Sequence, residues 1–223
     1  MEKFKAHIKY YLWATYRRKI LDKLLEENKH YYNGTVLDIG GRSRGKFKKP
    51  NKRVKRWIFA DIEEKYEPDI VIDVANMNKI RSNSIDVINA IEVFEHIERP
   101  ERGLRECYRV LKSSGVMILS SPFLYSIHAD PYDFQRWTDE KWKKELKSVG
   151  FRIEKFEIMG IYFTVLGDTI KFLIKSMPRI IKWFLYLLYP LLDTATKLDN
   201  LKFFKNHPKI GKFHGGYFIV LRS

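Results

Sequence analysis

The chain has 223 residues, 45% of them hydrophobic and 15% aromatic, enough for one domain with a full core and too apolar for a disordered protein. Its formal net charge of +15 points to an anionic partner: nucleic acid, an acidic membrane surface or a phosphorylated substrate. The single cysteine, Cys107, excludes an internal disulfide framework and suits a reducing cytoplasm.

In chain order, MEKFKAHIKYYLWATYRRK scatters charge among its apolar residues and has no small-residue cleavage site, so it does not read as a signal peptide. Residues 4–29 read as one helix, with Phe4, Ile8, Tyr11, Leu12, Thr15, Leu21, Leu24 and Leu25 along a stripe and Asn33-Gly34 ending the segment. The period then changes. Val36–Ile39, Trp57–Ala60, Ile70–Ile72, Ile85–Ile91, Val116–Ser120 and Phe151–Ile158 are short runs, most rich in Ile and Val, as buried parallel strands require. Helical patterns lie between the later ones, at Arg99–Leu111 and Asp139–Val149. The alternation predicts an α/β fold: a Rossmann-like, mostly parallel seven-stranded sheet, closed by GGYFIVLRS as the returning last strand. GKFKKPNKRVKR and DIEEKYEPD are too short or too polar for full crossover helices, so the early helices are shortened and the cover there should be thin. The expected organisation is an N-terminal helical segment (1–34), a core of 35–158 with 216–223, and a helical insertion at 159–215.

Ligands of an open parallel sheet bind beyond the carboxyl ends of its strands. Asp38-Ile39-Gly40-Gly41 stands there after the first strand, where glycine lets the backbone approach a ligand. Asp61 follows the second strand, placed to accept both hydroxyls of a ribose, and Asp73 follows the third, placed to meet an adenine amine. Each acid also has a plain role as a cap or loop residue; the set of three around one glycine turn is what points to a nucleoside. The turn lacks the G-x-G-x-x-G spacing that cradles a pyrophosphate, so a ligand without one, such as S-adenosylmethionine, fits better.

VLDIGG, FADIE and SNSIDVINAIEVFEHIERPERGLRECYRVLKSSGVMILSSPF together resemble the class I S-adenosylmethionine-dependent methyltransferases. The match runs through Asp86, Glu92, Val93, Glu95, His96, Pro100, Arg109, Val110, Leu111, Lys112, Gly115 and Pro122, and covers roughly residues 34–158 plus the final strand. HADPYDFQRWT looks like a signature of methyltransferases from surface-polysaccharide and glycan genes. The resemblance implies S-adenosyl-L-methionine as cofactor, held by Asp38, Gly40, Gly41 and Arg42, by Asp61 and Ile62, by Asp73 and Val74, and by Ile91. The family pattern Asp-x-Gly-x-Gly-x-Gly is broken here, because Arg42 and Arg44 replace two glycines; Arg42 either pairs with the cofactor carboxylate or is plain surface charge.

A hydroxyl acceptor needs its proton removed. His128 in the loop FLYSIHADPYDFQRW is the expected general base, with Glu92 and Asp133 completing the catalytic set. His96 reads as a packing residue, and His207 and His214 as surface residues. No metal is expected, because Glu92-Val-Phe-Glu-His96 lacks the two-histidine helix of zinc proteases and one cysteine cannot build a thiolate site. IIKWFLYLLYPLL is too short to span a bilayer. With Lys171, Lys175, Arg179 and Lys182 it suits a peripheral membrane contact over 168–192 on the inner face of a membrane, a homodimer surface or packing on the core. Nucleic acid is the weaker partner, because the basic run from Arg42 to Arg56 has few aromatics for stacking. The expected function is O-methylation of a glycan, as a small molecule or lipid-linked sugar. Methylation of RNA or a small metabolite, or a non-catalytic adaptor role, are the alternatives.

Overall fold

The computed structural model describes residues 2–41, 45–129 and 131–223. Arg42 and Arg44 lie outside the described residues, as does Asp130. Five strands pair in parallel: β1 (Gly34–Ile39), β2 (Val54–Asp61), β3 (Ile70–Val71), β4 (Ile85–Ile91) and β5 (Leu111–Pro122). After β6 (Arg152–Ile158), β7 (Gly216–Arg222) inserts antiparallel between β5 and β6, giving the order β3-β2-β1-β4-β5-β7-β6. The order in which strands are added reverses between the parallel neighbours β1 and β4, so the crevice beyond their carboxyl ends is the place for a ligand.

The central strands are apolar on both faces and are covered on both. On one face Leu37, Ile88 and Leu119 pack under α3 (Pro100–Val110) and α4 (Asp139–Val149), through Leu104, Cys107, Trp142 and Leu146. On the other, Val36, Val87, Ile118 and Val220 meet Leu21, Leu25 and Tyr32 from the N-terminal segment. Among the described residues the first three crossovers hold no α-helix, only a short 3₁₀ turn at Glu64–Tyr66. The N-terminal helix does the covering that crossover helices would otherwise do.

That N-terminal segment is two helices rather than one. α1 (Glu2–Trp13) stops, and α2 (Tyr16–Glu27) restarts with Thr15 Oγ1 accepting from the Arg18 amide at 3.1 Å. The break is fixed from a distance. The Asp168 carboxylate accepts the Tyr16 and Arg17 amides at 2.5 and 3.1 Å, satisfying the first turn of α2. Asp168 lies on α5 (Tyr162–Ser176), the first helix of the stretch between β6 and β7. α5 is itself started by Asp199, whose carboxylate accepts from the amides of Ile161, Phe163 and Thr164 at 2.9–3.0 Å. The helices α6 (Arg179–Leu185), α7 (Tyr189–Thr196) and α8 (Lys202–Lys205) follow.

Lys171 departs from its expected place at a basic membrane edge. It is fully buried and donates to the Tyr11 and Ala14 carbonyls at 3.1 and 2.6 Å, closing the end of α1. Lys175 likewise donates to the Trp13 carbonyl at 2.6 Å. Burial, with Lys19 adding repulsion, holds the Lys171 ammonium down to about 7, against 10.5 for the ordinary group. Between those values the unfolded chain binds a proton that the folded chain does not, so stability is expected to rise with pH across that window. Denaturant midpoints at pH 7 and 9 check this, and Lys171→Met should flatten the rise.

Candidate active site

A cavity of about 790 Å³ opens at the carboxyl ends of β1, β2 and β4. Its wall brings together Asp38, Gly40 and Gly41 from the first turn, Asp61 and Ile62 from the second, and Asp73 and Val74 from the third. Ile91, Glu92 and His96 close it on the β4 side. His128 and Asp133 stand behind this wall, whose nearest lining residues in the β5–α4 loop are Pro131, Tyr132 and Phe134.

The Asp38 carboxylate is 1% exposed and held by a buried chain of hydrogen bonds. Asn89 Nδ2 donates to Asp38 Oδ1 at 2.6 Å, and Tyr32 Oη donates to Asn89 Oδ1 at 2.6 Å. The second oxygen, Oδ2, faces the Lys49 ammonium at 2.5 Å, so this carboxylate is a cation site. Gly40 takes φ +62° and Gly41 passes so close that an added Cβ would fall 2.2 Å from the Asp38 carboxyl group. Only glycines leave that space for a ligand. Asp61 Oδ1 accepts from the Glu63 amide at 3.0 Å, and Asp73 Oδ1 accepts from the Ala75 amide at 2.8 Å. Both acids therefore shape their own turns as well as lining the cavity. Ile62, 59% exposed, offers an apolar surface for a flat ring.

These residues fit S-adenosylmethionine: Asp38 for the α-ammonium, the glycines for close approach, Asp61 for the ribose, and Ile62, Asp73 and Val74 for the adenine. When bound, the cofactor supplies an electrophilic methyl group on sulfur. Asp61→Ala is expected to weaken its binding about 10- to 100-fold, the equivalent of roughly 1.4–2.8 kcal/mol. Equilibrium dialysis measures this, and an unchanged affinity would place the ribose elsewhere.

At the reaction end, Glu92 sits at φ +57°, just past β4. Ser120 Oγ donates to it at 2.8 Å, and the buried Arg17 guanidinium pairs with it at 2.6 Å. Burial pushes the Glu92 carboxyl up, but Arg17 and Ser120 outweigh this and hold it below its ordinary range. Arg17 also lies over the Tyr125 ring, 4.4 Å from its centroid. Glu92 is thus a fixed anion on the cavity wall rather than a proton carrier.

His128 donates its backbone N–H to Asp133 Oδ2 at 2.8 Å. Asp133 in turn is clamped by both terminal nitrogens of Arg136. Arg136 first, and the His128 amide after it, hold the Asp133 carboxyl at about 2 against the raising effect of burial. With its side chain 2% exposed and engaged by Arg136 and His128, Asp133 positions the loop instead of moving protons. Behind His128 lies Glu95, buried, with its carboxyl pushed well up by burial and by Glu92. His128 Nε2 and His96 Nε2 are each 3.8 Å from Glu95 Oε1, so His96 belongs to a titratable cluster beside the cavity. The expectation of no metal rests on the Glu92–His96 run and the lone cysteine, both local features of the sequence. The fold adds His128 to Glu95 and His96, and the three could hold an ion. His214 is buried, its ring nitrogen 3.1 Å from Tyr217 Oη, and is not a surface residue.

Arg17, Lys49, Asn89 and Glu95 were missed as site residues from sequence. Glu95 alone had a signal, as part of the family run.

The family model described as a methyltransferase domain matches residues 23–119, just under half the chain. No curated protein matches the chain by sequence. Among solved structures, a S-adenosylmethionine-dependent methyltransferase from Archaeoglobus fulgidus is similar at TM-score 0.55 and 17% identity, over 92% of this chain and 94% of that one. One from Mesorhizobium loti is similar at TM-score 0.55 and 12% identity, over 90% and 96%. The [4+2]-cyclase SpnF is similar at TM-score 0.56 and 14% identity, over 91% and 79%. At such identities the likeness speaks for the shared fold, and the SpnF name shows that the fold hosts more than one chemistry. The matched methyltransferase domain thus takes in the glycine turn and its buried acid, and the fold around them is the one shared with solved S-adenosylmethionine-dependent methyltransferases.

Proposed function

We propose that the enzyme methylates a hydroxyl of a glycan, presented on a lipid carrier at a membrane surface. The observation that carries the hydroxyl acceptor is the pair of imidazoles beside the cavity, His96 on its wall and His128 next to it, with ring centroids 5.2 Å apart. A sulfonium methyl needs little activation, whereas a hydroxyl must lose its proton, and imidazole is suited to take it near neutral pH.

The lipid carrier is supported by the exposed face of α6 and the turn after it. Ile180, Trp183, Phe184 and Leu187 are 62–78% exposed, with Arg179 and Lys182 beside them and Lys202 and Lys205 exposed on α8. Aromatic and aliphatic bulk beside cations suits an anionic membrane interface. No helix among the described residues is long and apolar enough to cross a membrane. This face is joined to the site through α5. Phe172 contacts Tyr125 at 5.3 Å between ring centroids, and Tyr125 contacts His128 at 5.3 Å.

Methyl transfer from labelled cofactor into fractionated cell extract tests the reading. Label in the glycolipid fraction, stable to alkali as an ether, is expected; label confined to RNA, or alkali-labile, would overturn it. Flotation with anionic vesicles should retain the protein, and Trp183→Glu with Leu187→Glu should release it without changing its melting temperature.

A further inference from the structure

Glu95 is 1% exposed, and neither of its carboxylate oxygens has a hydrogen-bond partner among the described residues. Buried carboxylates are ordinarily paired, protonated or bound to a metal. Arg17 and Arg136 act on this one only through space. Among the described residues two imidazoles stand beside it, each with Nε2 at 3.8 Å from Glu95 Oε1. One ligand atom from each of the three side chains falls in a group no wider than 4.8 Å.

Both rings are oriented from behind. His96 Nδ1 lies 2.5 Å from the Tyr132 carbonyl, and His128 Nδ1 lies 3.1 Å from the Ser126 carbonyl. A carbonyl only accepts, so each Nδ1 carries the proton and each Nε2 keeps its lone pair. Backbone oxygens that fix the tautomer in this way are the usual outer support of metal-bound imidazoles. The supporting loop is itself tied down. The Phe134 amide donates to the Glu95 carbonyl at 2.9 Å, and the Arg136–Asp133 clamp holds the His128 backbone.

We propose that Glu95, His96 and His128 form a binding site for one divalent transition-metal ion at the acceptor side of the cavity. Two imidazole nitrogens and one carboxylate oxygen suit manganese, iron or zinc in the divalent state, and leave coordination positions open. Bonds of about 2.0–2.2 Å put neighbouring ligands about 3 Å apart, so the side chains need draw in by less than about 1 Å. His96 lines the cavity, so the open positions lie toward an entering acceptor. With the ion bound, the imidazoles serve as its ligands and take no proton themselves; holding an acceptor hydroxyl and easing loss of its proton to solvent then falls to the ion. That role rests on the hydroxyl-acceptor reading; the site itself does not.

The full chain, stripped with a chelator and dialysed, should bind one Mn²⁺ or one Zn²⁺ per chain by calorimetry, and Co²⁺ should give visible absorption bands. Glu95→Gln keeps the side-chain shape and should weaken binding at least about 100-fold, as should His128→Ala. Cofactor affinity and melting temperature report whether each variant is folded. Should Glu95→Gln fail to fold, His128→Ala decides alone, its side chain being 31% exposed. Binding of less than one ion, or equal binding by the variants, overturns the site. A chain that binds no metal yet methylates hydroxyls overturns the site and leaves the acceptor reading standing. A chain that binds one ion through these residues but labels no hydroxyl sustains the site and removes the acceptor reading alone.

Discussion

Asp38→Ala is expected to weaken S-adenosylmethionine binding by about 100-fold or more, the largest effect of any single change on the cofactor side. A hydrogen bond to a charged group contributes roughly 1.5–3 kcal/mol. The alanine removes the carboxylate that would receive the cofactor ammonium. It also unseats the residues arranged around it, because Asn89 Nδ2 and the Lys49 ammonium both lose their acceptor. Asp38→Asn separates the two contributions. It keeps the shape and a hydrogen bond but not the charge, and should lose less. Equilibrium dialysis on both variants measures the difference; equal losses would mean that shape and hydrogen bonding add nothing beyond the charge, and an Asp38→Asn affinity equal to the wild type would mean that the charge contributes nothing.

Arg17→Met is expected to be the most destabilising change. Arg17 is buried at 4% exposure, and its partner Glu92 is nearly as enclosed. Removing one member of a buried pair strands the other charge, at a cost of about 3–5 kcal/mol. For a chain of this size that lowers the melting temperature by roughly 6–20 °C. The double variant Arg17→Met with Glu92→Gln should recover much of the loss, because no stranded charge remains. Thermal melts of the two variants check this, and a double variant no more stable than the single would show that the cost lies in packing around Tyr125 and not in the charge.

The sheet was the legible part of the sequence. Buried strands show as Ile and Val runs, and the stretch from Ile85 through Pro122 carries β4, α3 and β5 with the family pattern lying directly on them. The cofactor wall was legible for the same reason: Asp38, Asp61 and Asp73 each follow a strand in sequence and so meet at one edge of the sheet. The break between α1 and α2 was not, because Thr15 is a modest signal and the decisive partner, Asp168, comes from α5. The Arg17–Glu92 pair was hidden likewise, since it joins an N-terminal helix to the end of β4. The loop marks His128 as a candidate, but its neighbourhood with Glu95 and His96 depends on how that loop folds back, and no local pattern announces it. The lysines of 168–192 show the opposite error. An amphipathic stripe assigns charge to a surface, yet Lys171 is drawn inward by the carbonyls ending α1, while the exposed apolar face lies farther on, at 180–191.

Calorimetric titration of the purified chain with S-adenosylmethionine tests most directly whether the modified turn after β1 is a cofactor site. One molecule per chain should bind with a dissociation constant near the micromolar range, about −8 kcal/mol, and Asp38→Ala should abolish the signal at those concentrations. Absence of binding by the folded wild-type chain at millimolar cofactor would contradict the account.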